Sequence, residues 1–238
     1  MHPQVAGQTS AFRHLASDGG FFPHPSFTLD TPFLIRATPF MRLSSSASAP
    51  FASWAKFMLE TSKEHGTQKM SFYFQWPNPF SDYAVINAST FLSATGYLTS
   101  NANWLPLVNN STWVQAWAWF GLWFGVSDNL DPTGYVTEFL GQTGAYAQWM
   151  TGPATGTKSI STGANLSRTM FAVPPGNVVV FEVALAINYE HHQGNLEADF
   201  QSGDFRIACP LVVCSLLNTP PERDWRNLLR GLVDAVRD

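Results

Sequence analysis

The sequence predicts an all-β sandwich with one short helix near residues 50–62 and an amphipathic helix at the C-terminus. Three observations lead there. Apolar residues recur with period two in several segments between residues 70 and 217. Sixteen Pro and seventeen Gly interrupt the chain at short intervals. Helical periodicity is confined to two places, and no internal repeat is visible.

Residues 1–25 carry Gly, Pro and His without periodicity and are expected to form an extended N-terminal arm. Thr28 to Arg36 has the composition of a first strand, interrupted by Pro32. A Ser/Ala-rich loop at 44–50 leads into the expected helix. Ser48 can cap it, Pro50 suits its first turn, and Phe51, Trp54, Ala55, Met58 and Leu59 repeat at helical spacing, with Gly66 placed to end it. Alternation then takes over. Met70, Phe72, Phe74 and Trp76 share one face of a strand that Pro77 and Pro79 stop. Tyr83 to Leu92 reads as the next strand.

Thr112 to Val126 follows, and it contains W-V-Q-A-W-A-W-F-G-L-W-F-G-V. Trp113, Trp117, Trp119 and Trp123 fall on one face, and Val114, Ala116, Ala118, Phe120, Leu122 and Phe124 on the other. The run is too short for a membrane helix, which needs about 20 apolar residues. A strand apolar on both faces needs cover on both. The core supplies one cover. The loops of 141–167, the terminal helix or a neighbouring subunit must supply the other.

Gly141 to Ser167 is rich in Gly, Thr and Ser and is expected to be mostly loop, with at most one short strand. Arg168 to Val173, P-P-G-N at 174–177, and Val178 to Tyr189 read as strand, turn and strand. Asp204 to Leu217 is the last long strand, and Pro210 inside it argues for an edge or a bulge. The domain proper is therefore expected over 26–218, with a tail at 219–238. In that tail Trp225, Leu228, Leu229, Leu232, Val233 and Val236 lie on one helical face, with Arg223, Arg226, Arg230 and Asp234 elsewhere. Burying such a stripe is worth on the order of 10 kcal/mol gross, so it must dock, on its own domain or on a neighbour. For the second case the expected subunit-interface residues are Trp225, Leu228, Leu229, Leu232 and Val236. The mixed sign of the polar face argues against a membrane surface.

The 238 residues and 26.3 kDa suit one large β domain. Charged residues make up 13%, about half the usual share, which suits a subunit with large contacts. A net charge of −4 without any Lys/Arg cluster excludes a free-standing nucleic-acid binder, so contact with a genome is at most weak and uses no basic arm. No signal-like segment opens the sequence and no apolar run is long enough to span a membrane, so no membrane role is expected. Two cysteines, Cys209 and Cys214, would point to opposite faces of one strand about 16 Å apart, too far to join. Buried, reduced thiols are expected.

Catalytic and metal patterns fail on inspection. G-P-A-T-G-T-K-S at 152–159 misses the phosphate-loop spacing. Glu197-Ala-Asp199-Phe-Gln-Ser202 approximates a paired-carboxylate glycosidase strand, but Ser202 stands where the second glutamate should be, and nearby Gly and Asn suggest a solvated turn. Glu190-His191-His192, with Asp199 nearby, lacks a second ligand pair and reads as an exposed loop. His2, His14, His24 and His65 form no set, and neither cysteine has a placed base. The expectation is no enzyme, no catalytic or metal residues and no cofactor.

The segment order then carries a likeness. S-F-Y-F-Q-W-P-N-P-F-S-D-Y-A-V-I-N-A-S-T (71–90), M-F-A-V-P-P-G-N-V-V-V-F-E-V (170–183) and A-D-F-Q-S-G-D-F-R-I-A-C-P-L-V-V (198–213) resemble picorna-like virus capsid (coat) proteins, most of all those of the plant secovirus group. The likeness spans residues 26–218 and rests on a pattern of strands and turns. It implies an eight-stranded antiparallel jelly roll that tiles an icosahedral shell with sister capsid proteins and copies of itself, around an RNA genome. It also implies loops gathered about a symmetry axis at one end, and a place in the virion after assembly in the host cell cytoplasm. The C-terminal helix departs from the pattern. The alternative expectation is a carbohydrate-binding β-sandwich that uses exposed aromatic side chains. A glycosidase acting through Glu197 or Asp199 is a weaker third.

Overall fold

The computed structural model describes residues 12–15, 26–39, 41–46, 53–61, 65–124, 134–209 and 211–217. Its first five strands are β1 (Phe12–Leu15), β2 (Ser26–Leu29), β3 (Leu34–Ala37), β4 (Met41–Ser46) and β5 (Trp54–Thr61). The long strands follow: β6 (His65–Pro77), β7 (Ala84–Ala102), β8 (Asn110–Phe124), β9 (Gly134–Ala147), β10 (Ala154–Val173) and β11 (Val178–His191). β12 (Gly194–Asp199), β13 (Arg206–Ala208) and β14 (Val212–Leu216) end the series. Every pairing is antiparallel, and the strands form two sheets packed as a sandwich. No helix occurs among the described residues.

The larger sheet has short strands laid end to end. β14, β13 and β12 run in succession along the same edge of β7, pairing with its residues 86–90, 93–95 and 97–102. β2 and β5 continue one another along the far side of that row, and β4 and β1 line the outer edge. β10 pairs with the other side of β7. The smaller sheet runs β3-β6-β11-β8-β9. In chain order the pairings nest: β8 with β9, β7 with β10, β6 with β11, and β2 with β14.

The inner faces follow the alternation read from the sequence. Met70, Phe72, Phe74 and Trp76 are buried, as are Val114, Ala116, Ala118, Phe120 and Leu122, and Val179, Phe181, Val183, Leu185 and Ile187. They meet Phe27, Leu29, Phe57, Ile86, Leu92, Phe200 and Ile207 from the larger sheet. Phe27 stacks on Trp76 at 4.9 Å, and Phe57 on Phe200 at 5.1 Å. The P-P-G-N turn forms as expected, with Gly176 at φ 72° and the Asn177 N–H donating to Pro174 O.

Four expectations need correction. Residues 54–61 of the expected helix form β5, because Ala55, Phe57 and Leu59 also alternate, and ladders on both sides satisfy the extended backbone. The expected first strand divides at Pro32 into β2 and β3, which belong to different sheets. Gly141 to Ser167 is not mostly loop, since all of it but 148–153 belongs to β9 and β10. β10 lies at a sheet edge and buries few side chains, so its sequence carries little apolar signal, and Gly156 is required because a β-carbon there would run into the Gly144 carbonyl of β9. The last strand is broken, stopping at Ala208 and resuming at Val212 around Pro210.

That break also alters the cysteines. Both thiols enter the same core, fully buried and unpaired with each other, because the interruption resets the alternation. Burial pushes the Cys209 thiol up to about 12 and raises that of Cys214 as well. The native protein is therefore expected to react with Ellman's reagent at mildly alkaline pH only after denaturant is added, when two equivalents appear. Rapid reaction of the native protein would contradict this packing.

The described parts of the 1–25 arm comprise β1 alone, which pairs with β2. The tail at 219–238, with Trp225, Leu228, Leu229, Leu232 and Val236, lies outside the described residues.

Candidate functional site

No third layer of described residues lies over the outer face of the smaller sheet. Residues 141–167 do not cover the Trp face, since their strand residues lie in β9, beside β8 in the same sheet, and in β10 of the larger sheet. The aromatic side chains cover one another in part. Trp119 stacks on Tyr135 at 5.6 Å, and Trp117 meets Phe139 edge-on at 5.0 Å. Trp119 folds over Gly121, where any β-carbon would collide with its ring, and Lys69 Nζ sits 4.0 Å from the Trp119 ring centroid.

Beneath these rings Glu182, 1% exposed, anchors a polar cluster. Its Oε1 accepts from Lys69 Nζ at 3.0 Å, Ser71 Oγ at 2.7 Å and Tyr73 Oη at 3.2 Å, and its Oε2 accepts from Trp123 Nε1 at 3.0 Å. Burial and then the Glu182 carboxylate push the Tyr73 phenol well above its ordinary range. Across the same face, from β6 to β9, the side chains of Thr67, Lys69, Trp117, Trp119, Tyr135, Thr137, Ala186 and Asn188 surround an open trough of about 450 Å³.

A second surface lies at one end of the sandwich. The connections between β7 and β8, β9 and β10, and β11 and β12 meet there, and the gap between β5 and β6 opens beside them. The tip carries Trp104, Leu107, Val108, Tyr146, Trp149 and Met150. Leu107 is 82% exposed and Met150 is 76% exposed. The Trp104 indole N–H donates to Trp149 O at 2.8 Å, joining two of the loops. Buried Asn110 joins a third: its amide N–H donates to Asn103 O and Gln193 O, and its carbonyl oxygen accepts from Gln193 N. Leu107 sits at φ 65°, a left-handed conformation that favours Gly and costs a leucine about 1 kcal/mol. N-W-L-P-L-V-N-N at 103–110 and Q-W-M-T-G-P at 148–153 carry this signal in the sequence, as large apolar residues set among turn formers. The strand-centred reading passed over it.

The candidate chemical residues fall elsewhere. Glu197 and Asp199 belong to β12 rather than to a solvated turn. They lie on the outer face of the larger sheet, with Glu197 directly opposite Glu60. Burial, then Asp199 and Glu60, raise the Glu197 carboxyl. Asp199 is partly desolvated, which raises it, but hydrogen bonds from the Ser202 hydroxyl and from the Gln201 and Ser202 backbone N–H groups bring it below the ordinary range. It caps a turn. A raised carboxyl means the folded chain holds that proton more tightly than the unfolded chain, so stability falls as pH rises through the raised value. Glu197→Gln is therefore expected to stabilise the domain at neutral pH by roughly a few tenths of a kcal/mol after solvent screening. The gain should vanish below the ordinary glutamate value of 4.5, as urea midpoints at two pH values would reveal.

Glu190 and His191 likewise end β11, with His191 buried rather than in an exposed loop, and His192 is exposed in the turn. Among the described residues no group of three His, Cys, Asp or Glu side chains could hold a metal ion. Lys158 and Ser159 of the phosphate-loop look-alike lie within β10.

No family model matches the chain, and no curated protein matches it. Solved structures are similar to the chain at low identity and low TM-score. The C-terminal family 22 carbohydrate binding module of Clostridium thermocellum Xyn10B is 8% identical, with a TM-score of 0.22 over 79% of this chain and 88% of that one. CsCBM6-3 from Clostridium stercorarium, solved in complex with cellobiose, is 12% identical, with a TM-score of 0.21 over 86% of this chain and 98% of that one. The enzymatically active domain of Bacteriophage CBA120 tailspike protein 4 is 9% identical, with a TM-score of 0.24 over 77% of this chain and 19% of that one. None of these likenesses says what this chain binds.

Proposed function

We propose that the chain is a structural subunit of an icosahedral viral capsid, joining sister coat proteins and copies of itself around an RNA genome. The nested pairings support a jelly roll: a long hairpin whose tip is β8–β9, wrapped so that β14 lies beside β7 and β11 beside β8. Lectins and enzymes use that wrapping too, so function must come from a surface.

The observation that carries the reading is the apolar tip. Leu107 is strained where it stands and gains nothing there in water, whereas a ring of tips about a symmetry axis would bury it with Val108 and Met150. The apolar stripe read from the sequence at 219–238 supports a second subunit contact. A net charge of −4 keeps the genome contact weak. Sedimenting material from the natural source should give isometric particles containing this chain in stoichiometric amount. Particles lacking it, or a chain recovered only as a monomer, would overturn the proposal.

A further inference from the structure

We infer that the trough on the outer face of the smaller sheet binds a neutral pyranose sugar. Its volume of about 450 Å³ lies within the range of small-molecule sites. One wall is built from the Trp117 indole, with Tyr135 standing 58% exposed at the rim, and Trp119, 8% exposed between Tyr135 and Lys69, closes the space beside it. Thr67 and Lys69 form the opposite wall, Ala186 the floor, and Asn188 and Thr137 lie at its margins.

The polar groups divide in a way that selects the ligand. Trp117 donates its N–H to Gln115 Oε1 at 3.1 Å, so its indole offers the trough an apolar surface. The side chains of Thr67 and Asn188 make no hydrogen bond to another described residue, so donors and acceptors line the space across from the Trp117 ring, and Thr137, likewise without one, stands beside Trp119 on β9. A pyranose matches both walls at once. Its axial C–H groups present an apolar face to the Trp117 indole, and its ring hydroxyls reach the Asn188 amide and Thr67. An apolar peptide would bury Asn188 and both threonines without partners, at about 1–3 kcal/mol each. An acidic sugar would need an unspent cation, and Lys69 is already paired with Glu182 at 3.0 Å. This site is separate from the tip and does not depend on the shell proposal.

The test titrates the full chain separately with cellobiose, lactose, maltose, N-acetyllactosamine and, as the charged comparison, 3′-sialyllactose, following intrinsic Trp fluorescence. At least one neutral sugar should give a saturable change with a Kd on the order of 1 mM, weakened at least about tenfold in Trp117→Ala and in Asn188→Ala. Tyr146→Ala, at the tip, should bind as the parent does, and thermal unfolding establishes that each variant is folded. No saturable response to any neutral sugar, a response undiminished in both trough variants, or binding of 3′-sialyllactose alone would overturn the inference. Particle formation in the same preparations is read independently, so its failure would strike the shell proposal and leave sugar binding standing.

Discussion

Glu182→Ala should destabilise the domain by about 3 kcal/mol, the magnitude of breaking a buried ion pair by removing one partner. The carboxylate, on β11, is 1% exposed and gathers four donors from two strands, β6 and β8. Its loss takes the acceptor from buried Ser71 Oγ and from Tyr73 Oη, and each such loss costs about 1–3 kcal/mol where water cannot enter. Lys69, with 31% of its side chain exposed, can turn toward solvent and recover part of the cost. Glu182→Gln keeps the shape and one acceptor oxygen and should lose about half as much. Urea unfolding followed by Trp fluorescence measures both variants. A loss under about 1 kcal/mol for the alanine variant would mean that the cluster is solvated and does not hold the Trp face in place.

The same cluster explains how far the sequence could be read. Where one face of a strand enters the core, alternation is legible: Met70 to Trp76, Val114 to Leu122 and Val179 to Tyr189 all bury the predicted side chains. Where a pattern fits two periods, the partner decides. Phe51, Trp54, Ala55, Met58 and Leu59 fit a helix, but Ala55, Phe57 and Leu59 fit a strand equally, and β12 and β13 on one side with β4 on the other settled it. Local sequence contains no term for that. β10 was illegible for the opposite reason. An edge strand with Thr155, Thr157, Ser159 and Ser161 turned to solvent buries too little to leave a signal. Glu182 sits in an apolar run, V-V-V-F-E-V-A-L, and only the register that sets Tyr73 on one side of it and Gly121 on the other reveals why a carboxylate is tolerated there. The trough is legible in part, since its Trp wall follows from alternation along one strand. Thr67 and Asn188 join it only through pairings between residues far apart in the chain.

If the tip is an assembly contact, stability and assembly should respond to Leu107 with opposite signs. Leu107→Gly relieves the left-handed strain and should stabilise the isolated domain by up to about 1 kcal/mol, offset in part by the greater freedom of glycine in the unfolded chain. The same change removes a side chain that is 82% exposed in the single subunit and would be buried in a ring of tips. Burying a leucine is worth about 2 kcal/mol, and every subunit around the axis would lose that amount. Leu107→Gly should therefore unfold at a higher temperature as a subunit yet yield particles that fall apart at a lower one. The double variant Leu107→Asp, Met150→Asp, which sets like charges around the axis, should form none while its subunit remains folded. Differential scanning fluorimetry of the subunit and velocity sedimentation of the particles separate the two effects. A chain that assembles normally with two aspartates at the tip would remove the tip from the shell contact, and the strain at Leu107 would then be without a purpose in this reading.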